Sequence, residues 1–270
     1  MKNFSWPLIN DNITEDDKRS LVEFIMTPGV RFTQHKNVKM FEKTWSEWLG
    51  VKHSAFVNSG ASANYIMMSV VRDLFKEGEV IVPPLGWVSD IASVVNLGLT
   101  PVFVDVNMSN LSLDIDKVES AITSKTRAIV LVHALGFNGI NHKLIDLCKR
   151  HNLILIEDCC ESHGATFENR KIGTFGDMSN FSFYFGHHMT TIEGGIVSTN
   201  NSEMDDQVRL YRSHGMTREA SSDLQEKYIK SHPDLNPLFT FAVPGYNLRG
   251  TEINAVIGLN QIKRLDKKGC

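Results

Sequence analysis

The segment SFYFGHHMTTIEGG (182–195) collects Ser182, the pair His187-His188, two threonines, Glu193 and a double glycine. An imidazole titrates near neutrality and can accept a proton and return it. The same letters also describe a solvated loop between two strands, so this segment alone leaves both readings open. A second candidate is Glu157-Asp158, which closes the otherwise apolar run LILIED (153–158). A carboxylate among apolar neighbours needs donors or a positive partner. It could ligate a metal, act as a base, or face a protonated ring nitrogen. The metal reading lacks a ligand set, because Cys159 and Cys160 would point to alternate sides. In NSGASAN (58–64), Gly60 lets the backbone approach an anion, and Ala61 and Ser62 offer first-turn amides at a helix start. An ordinary Ser-Gly turn with a capping serine reads the same way. Trp87, in PPLGWVSD (83–90), is either a stacking surface for an aromatic ligand or a packing residue over the sheet.

The elements that must position these residues alternate along the chain. Strand-like runs are SAFVN (54–58), EVIVP (79–83), TPVFVDV (100–106), RAIVLVH (127–133), LILIED (153–158), MSNFSFYF (178–185) and GGIVST (194–199). The amphipathic stretches ASANYIMMSVVRDLF, VSDIASVVNLG, DIDKVESAIT and HKLIDLCKRHN lie between them. Strands separated by helices, with Val/Ile/Phe cores that do not alternate, predict an α/β fold with a mainly parallel sheet covered on both faces. Two strands follow one another between Ser179 and Thr199 without a helix, so one of them is expected to be antiparallel. Glu15 to Gly50 predicts two helices around RFTQHK, residues 202–215 a helix, and 251–270 another. Ala220 to Pro237, polar and without period, predicts a loop or mobile flap. Every candidate residue except Asn247 and His214 falls at or just after the carboxyl end of a strand, where parallel α/β sheets gather ligands.

Bulk properties exclude several classes. The chain has 270 residues, 42% of them hydrophobic, and a formal charge of −3, which suits one large domain and offers no basic surface for nucleic acid. Four cysteines form no CxxC pair and no zinc spacing, so reduced thiols are expected. MKNFSWPLIN lacks the features of a signal peptide, and no stretch is long enough to span a bilayer, which predicts a cytoplasmic protein with no membrane partner.

In order and spacing, NSGASAN, PPLGWVS, IEDCCESHGA, SFYFGHHMTTIEGG and GYNLRGTEINAVIGLNQ resemble the successive motifs of one sugar aminotransferase and dehydratase family. It is the family called DegT/DnrJ/EryC1/StrS, a branch of the fold-type I enzymes that use pyridoxal 5′-phosphate. The likeness runs from about residue 10 to 266. It implies an aminotransferase-like large domain over residues 1–270, with a seven-stranded sheet between helices and the family's small C-terminal domain largely absent. It further implies that the amides of Gly60 and Ala61 and the Ser182 hydroxyl meet the cofactor phosphate. Asn247 would reach the same phosphate from a second subunit, in a homodimer with shared active sites. Trp87 would stack on the pyridine ring, Asp158 would keep the ring nitrogen protonated, and Glu161 would lie near the ring oxygen, where relatives usually carry glutamine.

The departure from the family pattern is at His187. Aminotransferases of the family have a lysine six places before the loop glutamate, here Glu193, and that lysine bonds covalently to the cofactor aldehyde. An imidazole cannot hold the aldehyde in that way, but it can move protons. His187 and the following HMTTIEGG resemble the family's nucleotide-sugar 3-dehydratases, which remove the C3 hydroxyl of a 4-keto-6-deoxyhexose. There is no cysteine between Cys160 and Cys270 to hold an iron–sulfur cluster, so the cluster-free kind is implied. RLYRSHGMTRE (209–219) is similar to that kind too, with His214 in a substrate or proton-transfer role. The cofactor would cycle between pyridoxal and pyridoxamine 5′-phosphate with L-glutamate as amino donor and a nucleotide sugar, the GDP-linked mannose derivative, as substrate. Three rivals remain: an aminotransferase, for which Lys171 is the nearby amine, a dehydratase acting on a differently activated sugar, and a homologue that binds the cofactor without turnover.

Overall fold

The computed structural model describes residues 11–266. The opening MKNFSWPLIN and the final residues with Cys270 lie outside the described residues. Long β-branched runs become strands and capped amphipathic runs become helices. In chain order the elements are α1 (Glu15–Met26), α2 (Lys36–Leu49), β1 (His53–Val57), α3 (Gly60–Phe75), β2 (Glu79–Val82), α4 (Val88–Asn96), β3 (Thr100–Phe103), α5 (Ile115–Ala121) and β4 (Thr126–Val132). There follow α6 (His142–His151), β5 (Ile154–Asp158), β6 (Thr166–Phe167), β7 (Arg170–Lys171), β8 (Met178–Ser182), β9 (Gly195–Thr199), α7 (Ser202–Arg212), α8 (Ser222–Ser231) and α9 (Glu252–Gln261).

Seven strands form one sheet in the order β1-β9-β8-β5-β4-β2-β3. The pairs β8–β5, β5–β4, β4–β2 and β2–β3 are parallel, whereas β9 runs antiparallel to both β8 and β1. The predicted antiparallel strand is therefore β9. Each expected strand is present, and β6 and β7 add a small separate hairpin.

Alternation along the strands divides the core into two halves, one on each face. Phe56, Ile81, Ile129, Leu131, Leu155 and Ile196 pack with α2, α5, α6 and α9 residues such as Phe41, Trp45, Val118, Leu144 and Ala255. Their neighbours Val57, Val80, Val82, Val130, Ile156 and Val197 pack with Ile66, Met67 and Val71 of α3, Val94 of α4 and Val208 of α7. The sheet thus lies between two helical layers, and its carboxyl edge stays free of both.

Residues 220–237 correct the expectation of a flap, because they contain α8. Ser221 caps this helix by accepting from the Leu224 amide at 3.3 Å, and none of its residues is buried. A helix with no buried face leaves no apolar period to read. No helix among the described residues is long and apolar enough to cross a membrane.

Candidate active site

The candidate residues converge at the carboxyl edge of the sheet. Gly60 is the first residue of α3, and Ser59 caps the helix by accepting from the Ser62 amide at 3.1 Å. The Ala63 amide turns to the Ser59 carbonyl, so helix geometry leaves the Gly60 and Ala61 amides pointing out of the first turn. A Cβ on Gly60 would stand 2.8 Å from Ser182 Cβ and 3.2 Å from Cys160 Sγ. Glycine here is what allows the end of β8 and the start of α3 to approach closely, which brings the first-turn amides beside the Ser182 hydroxyl. Gly195 serves the same join, since a side chain there would collide with the Ser59 carbonyl.

Asp158 ends β5 and is 5% exposed. Its Oδ1 accepts from the Cys160 amide at 2.9 Å, and its Oδ2 from Asn180 at 3.1 Å and Asn64 at 3.2 Å. Asn64 also donates to Asp90 Oδ1 at 2.7 Å. Asp90 sits in the first turn of α4, and burial, reinforced by the charge of Asp158, pushes its carboxyl well above the usual range. Sequence reading missed Asp90, Asn64 and Asn180. An aspartate in a first helical turn looks like a favourable partner of the helix dipole, and nothing local marks it as buried.

Trp87 is 75% exposed at the entry to α4. An indole that open contributes little packing within this chain and presents an aromatic surface next to Asp90, whose amide donates to the Trp87 carbonyl. Asn247 is also exposed, and its side-chain oxygen accepts from the Arg249 amide at 3.4 Å within its own turn. Its segment is anchored by bridges from Ser213 to Asn247 and from Val57 to Arg249, next to β1. His214 has a left-handed backbone, φ 61°, and its amide donates to the Tyr246 carbonyl, which ties it to the same segment.

The histidine loop follows β8 and is held on several sides. Thr190 Oγ1 donates to the Phe183 carbonyl and accepts from the Ile192 amide, and Ile192 takes φ 73°, an unusual conformation for a β-branched residue. Asn12 donates to the carbonyls of His187 at 3.1 Å and His188 at 3.3 Å. Gln261 of α9 accepts from the Thr190 amide at 3.1 Å and donates to Asn12 Oδ1 at 3.2 Å. Asp17 receives Gln261 at 3.2 Å and Arg264 at 2.6 Å. Burial alone would raise the Asp17 carboxyl, but Arg264, the Thr14 amide and Asn260 outweigh it and bring it down to about 2.

The His187 ring is half-buried, with the His163 ring 6.2 Å and the Tyr184 ring 6.1 Å away, centre to centre. Desolvation lowers its pKa, opposed by the negative charges of Glu161 and Asp158. It is therefore a neutral base at neutral pH. His163, another residue the sequence did not flag, lies fully buried against Trp45, Phe181 and Phe183, and burial holds it neutral. Glu161 is exposed and accepts from the Leu135 amide at 2.8 Å. Lys171 is occupied elsewhere, donating to the Trp48 carbonyl at 2.9 Å with its amine over the Trp48 ring.

First-turn amides beside a hydroxyl, a carboxylate held by neutral amides, and an exposed indole gather on the edge of a doubly covered, mainly parallel sheet, an arrangement whose chemistry suits a flat, anionic ligand. The chain belongs to the DegT/DnrJ/EryC1/StrS aminotransferase family, whose pattern matches residues 12–269. GDP-4-keto-6-deoxy-D-mannose 3-dehydratase of Yersinia pseudotuberculosis is 36% identical over 270 residues, covering 97% of this chain and 67% of that protein. GDP-perosamine synthase of Caulobacter vibrioides is 36% identical over 227 residues, covering 84% and 56%. A solved GDP-4-keto-6-deoxymannose-3-dehydratase with a trapped PLP–glutamate geminal diamine superposes with a TM-score of 0.87 at 31% identity, covering 97% of this chain and 69% of that one. The chain spans 56% to 69% of the length of these proteins.

Proposed function

We propose that this protein is a pyridoxal-phosphate-dependent 3-dehydratase of a nucleotide-linked 4-keto-6-deoxyhexose, with the GDP-linked sugar as substrate and L-glutamate as amino donor. The observation that carries this reading is His187, a half-buried imidazole where the family's aminotransferases have their lysine, with Lys171 committed to Trp48. Relatives named as a dehydratase and as a perosamine synthase stand at the same 36% identity, so overall similarity does not choose between them. The imidazole at position 187 is what supports the dehydratase reading.

The residues at the edge of the sheet fit the cofactor. The close approach of Gly60 to Ser182, which leaves no room for a Cβ, brings the Gly60 and Ala61 amides and the Ser182 hydroxyl together, a donor set that suits a phosphate. The exposed Trp87 face suits a pyridine ring, and Asp158 suits its protonated nitrogen. Asn247 of a second subunit would complete the phosphate site, which makes the active form a homodimer. When bound, the cofactor supplies an amine for the C4 ketone of the sugar and a ring that takes up electrons as a proton leaves its C4′ carbon.

His187 removes that proton and delivers it to the departing C3 oxygen. Its lowered pKa leaves it unprotonated at neutral pH, ready to act first as base and then as acid. The Asn12 and Gln261 contacts fix the loop so that one imidazole serves both steps. Glu161 and Asp158 stabilise the imidazolium between them. His214 and Glu161 are candidates to contact the sugar or the ring oxygen.

The test is incubation with pyridoxal phosphate, L-glutamate and GDP-4-keto-6-deoxymannose, following 2-oxoglutarate, ammonia and the deoxygenated sugar. Ammonia should appear with the sugar product, and His187→Asn should lower turnover by about 10²- to 10⁴-fold. His187→Lys should abolish dehydration. Dehydration that persists in that variant, or an amino sugar formed by the parent, would sink the assignment.

A further inference from the structure

We propose that Asp90 and Asp158 share one proton, with Asp90 as the neutral acid that donates to Asp158, and that Asp90 thereby positions the Asp158 carboxylate toward a ring nitrogen. The positioning role rests on the assignment of Asp158 above; the shared proton does not.

The two carboxyls come from different elements, the first turn of α4 and the end of β5, and are 4% and 5% exposed. Asn64 of α3 joins them, giving its amide to Asp90 Oδ1 at 2.7 Å and to Asp158 Oδ2 at 3.2 Å. The groups that face the Asp90 carboxyl are Asp158 from β5, the Cys160 thiol just beyond it, Asn64 from α3 and, at the start of α4 itself, the Trp87 amide. None of these is a cation. Two ionised carboxylates in such a setting repel without compensation, so one keeps a proton.

The pattern of donors says which one. Both oxygens of Asp158 accept hydrogen bonds, from the Cys160 amide, Asn180 and Asn64. Asp90 Oδ2 is buried and receives no donor. Left ionised, it would bear the full desolvation cost of an unsatisfied acceptor. As the oxygen that carries the hydrogen it becomes a donor, and Asp158 is the acceptor beside it. Burial and the neighbouring charge act in the same direction on Asp90. Asp158 then stays charged and fixed by neutral donors, with no second negative charge competing for the same cation.

An asparagine at position 90 is permanently neutral and can donate as the acid does, so Asp90→Asn should imitate the parent while Asp90→Ala should not. The first measurement is the infrared spectrum of the cofactor-free protein at pH 7. The parent should show the C=O stretch of a buried protonated carboxyl, and Asp90→Asn should lack it. The second is affinity for pyridoxal phosphate, expected within about threefold of the parent in Asp90→Asn and weakened about tenfold or more in Asp90→Ala. A parent spectrum without that band, or equal losses in the two variants, would overturn the proposal. A band that vanishes in Asp90→Asn while neither Asp90→Ala nor Asp158→Asn changes cofactor affinity would support the shared proton and reject the reading of Asp158. The spectrum and Asp90→Asn carry the test even where Asp90→Ala does not fold.

Discussion

Glu157 and Asp158 are adjacent on β5 and equally buried, yet they face opposite sides of the sheet and live in opposite chemistry. Glu157 accepts from His133 Nε2 at 3.1 Å and from the amides of Gly173, Phe175 and Gly176 at 2.9, 2.8 and 2.7 Å. The Gly139 amide donates to His133 Nδ1, which puts the ring hydrogen on Nε2, toward Glu157. Burial would raise the Glu157 carboxyl, but His133 and the glycine amides outweigh it and hold it below its ordinary value. His133, Glu157 and Cys159 are close enough together to suggest a metal site. Their lone pairs are already engaged, however, and burial keeps the Cys159 thiol protonated. Asp158 accepts instead from two side-chain amides, of Asn180 and Asn64, and from one backbone amide, of Cys160. The contrast teaches that burial does not separate a structural carboxylate from a candidate site carboxylate; the source of its donors does.

Substitutions on the two neighbours should therefore separate stability from binding. Glu157→Gln sets an amide hydrogen against backbone donors and should cost about 3–5 kcal/mol in urea denaturation. Asp158→Asn, which meets fewer backbone donors, should cost less, about 1–3 kcal/mol, but weaken pyridoxal phosphate binding by about tenfold to a hundredfold in a fluorescence titration. If both variants lose mainly stability, the comparison fails.

Acid and neutral pH should sharpen it further. The Glu157 pKa is depressed on folding, so its stabilisation is fully present above the unfolded value of 4.5 and is lost as pH falls through the folded value. Asp90 has the opposite sign: raised above 3.8 on folding, it favours the folded state most below 3.8, and that advantage drains away as pH climbs toward the folded value. Thermal melts across pH should accordingly show Asp90→Asn flattening the limb above pH 4 and Glu157→Gln flattening the acid limb. The smallest effect belongs to Trp87→Ala, expected to shift stability by no more than about 0.5 kcal/mol and cofactor affinity by about three- to tenfold. A large loss of stability there would mean the indole packs against the protein after all.

The same contrast shows what the sequence could carry. The sheet was legible because its buried strands are largely apolar runs, from EVIV at β2 to GIVST at β9, and the capping residues Ser59, Asn141 and Asn201 stand where helices begin. The position of the candidate site was legible from where those runs end. Residues 222–231 were not, because α8 buries nothing. Within the site, the letters ED could not say which carboxylate is closed by backbone amides, because those amides come from a turn nearly twenty residues further on. Asp90 and His163 escaped notice for a related reason: their partners come from other elements, and the contacts exist only once the sheet edge has assembled.

The clamp on the histidine loop bears on the order in which the molecule is made. Asn12 and Gln261, separated by 249 positions, meet beneath that loop, and each holds it directly. During synthesis the strands flanking His187 leave the ribosome well before α9 does. Contacts between such distant positions form late, after the local ones. The nascent sheet can therefore close around its core while the His187 loop still lacks its support, and α9 brings Gln261 to it afterwards.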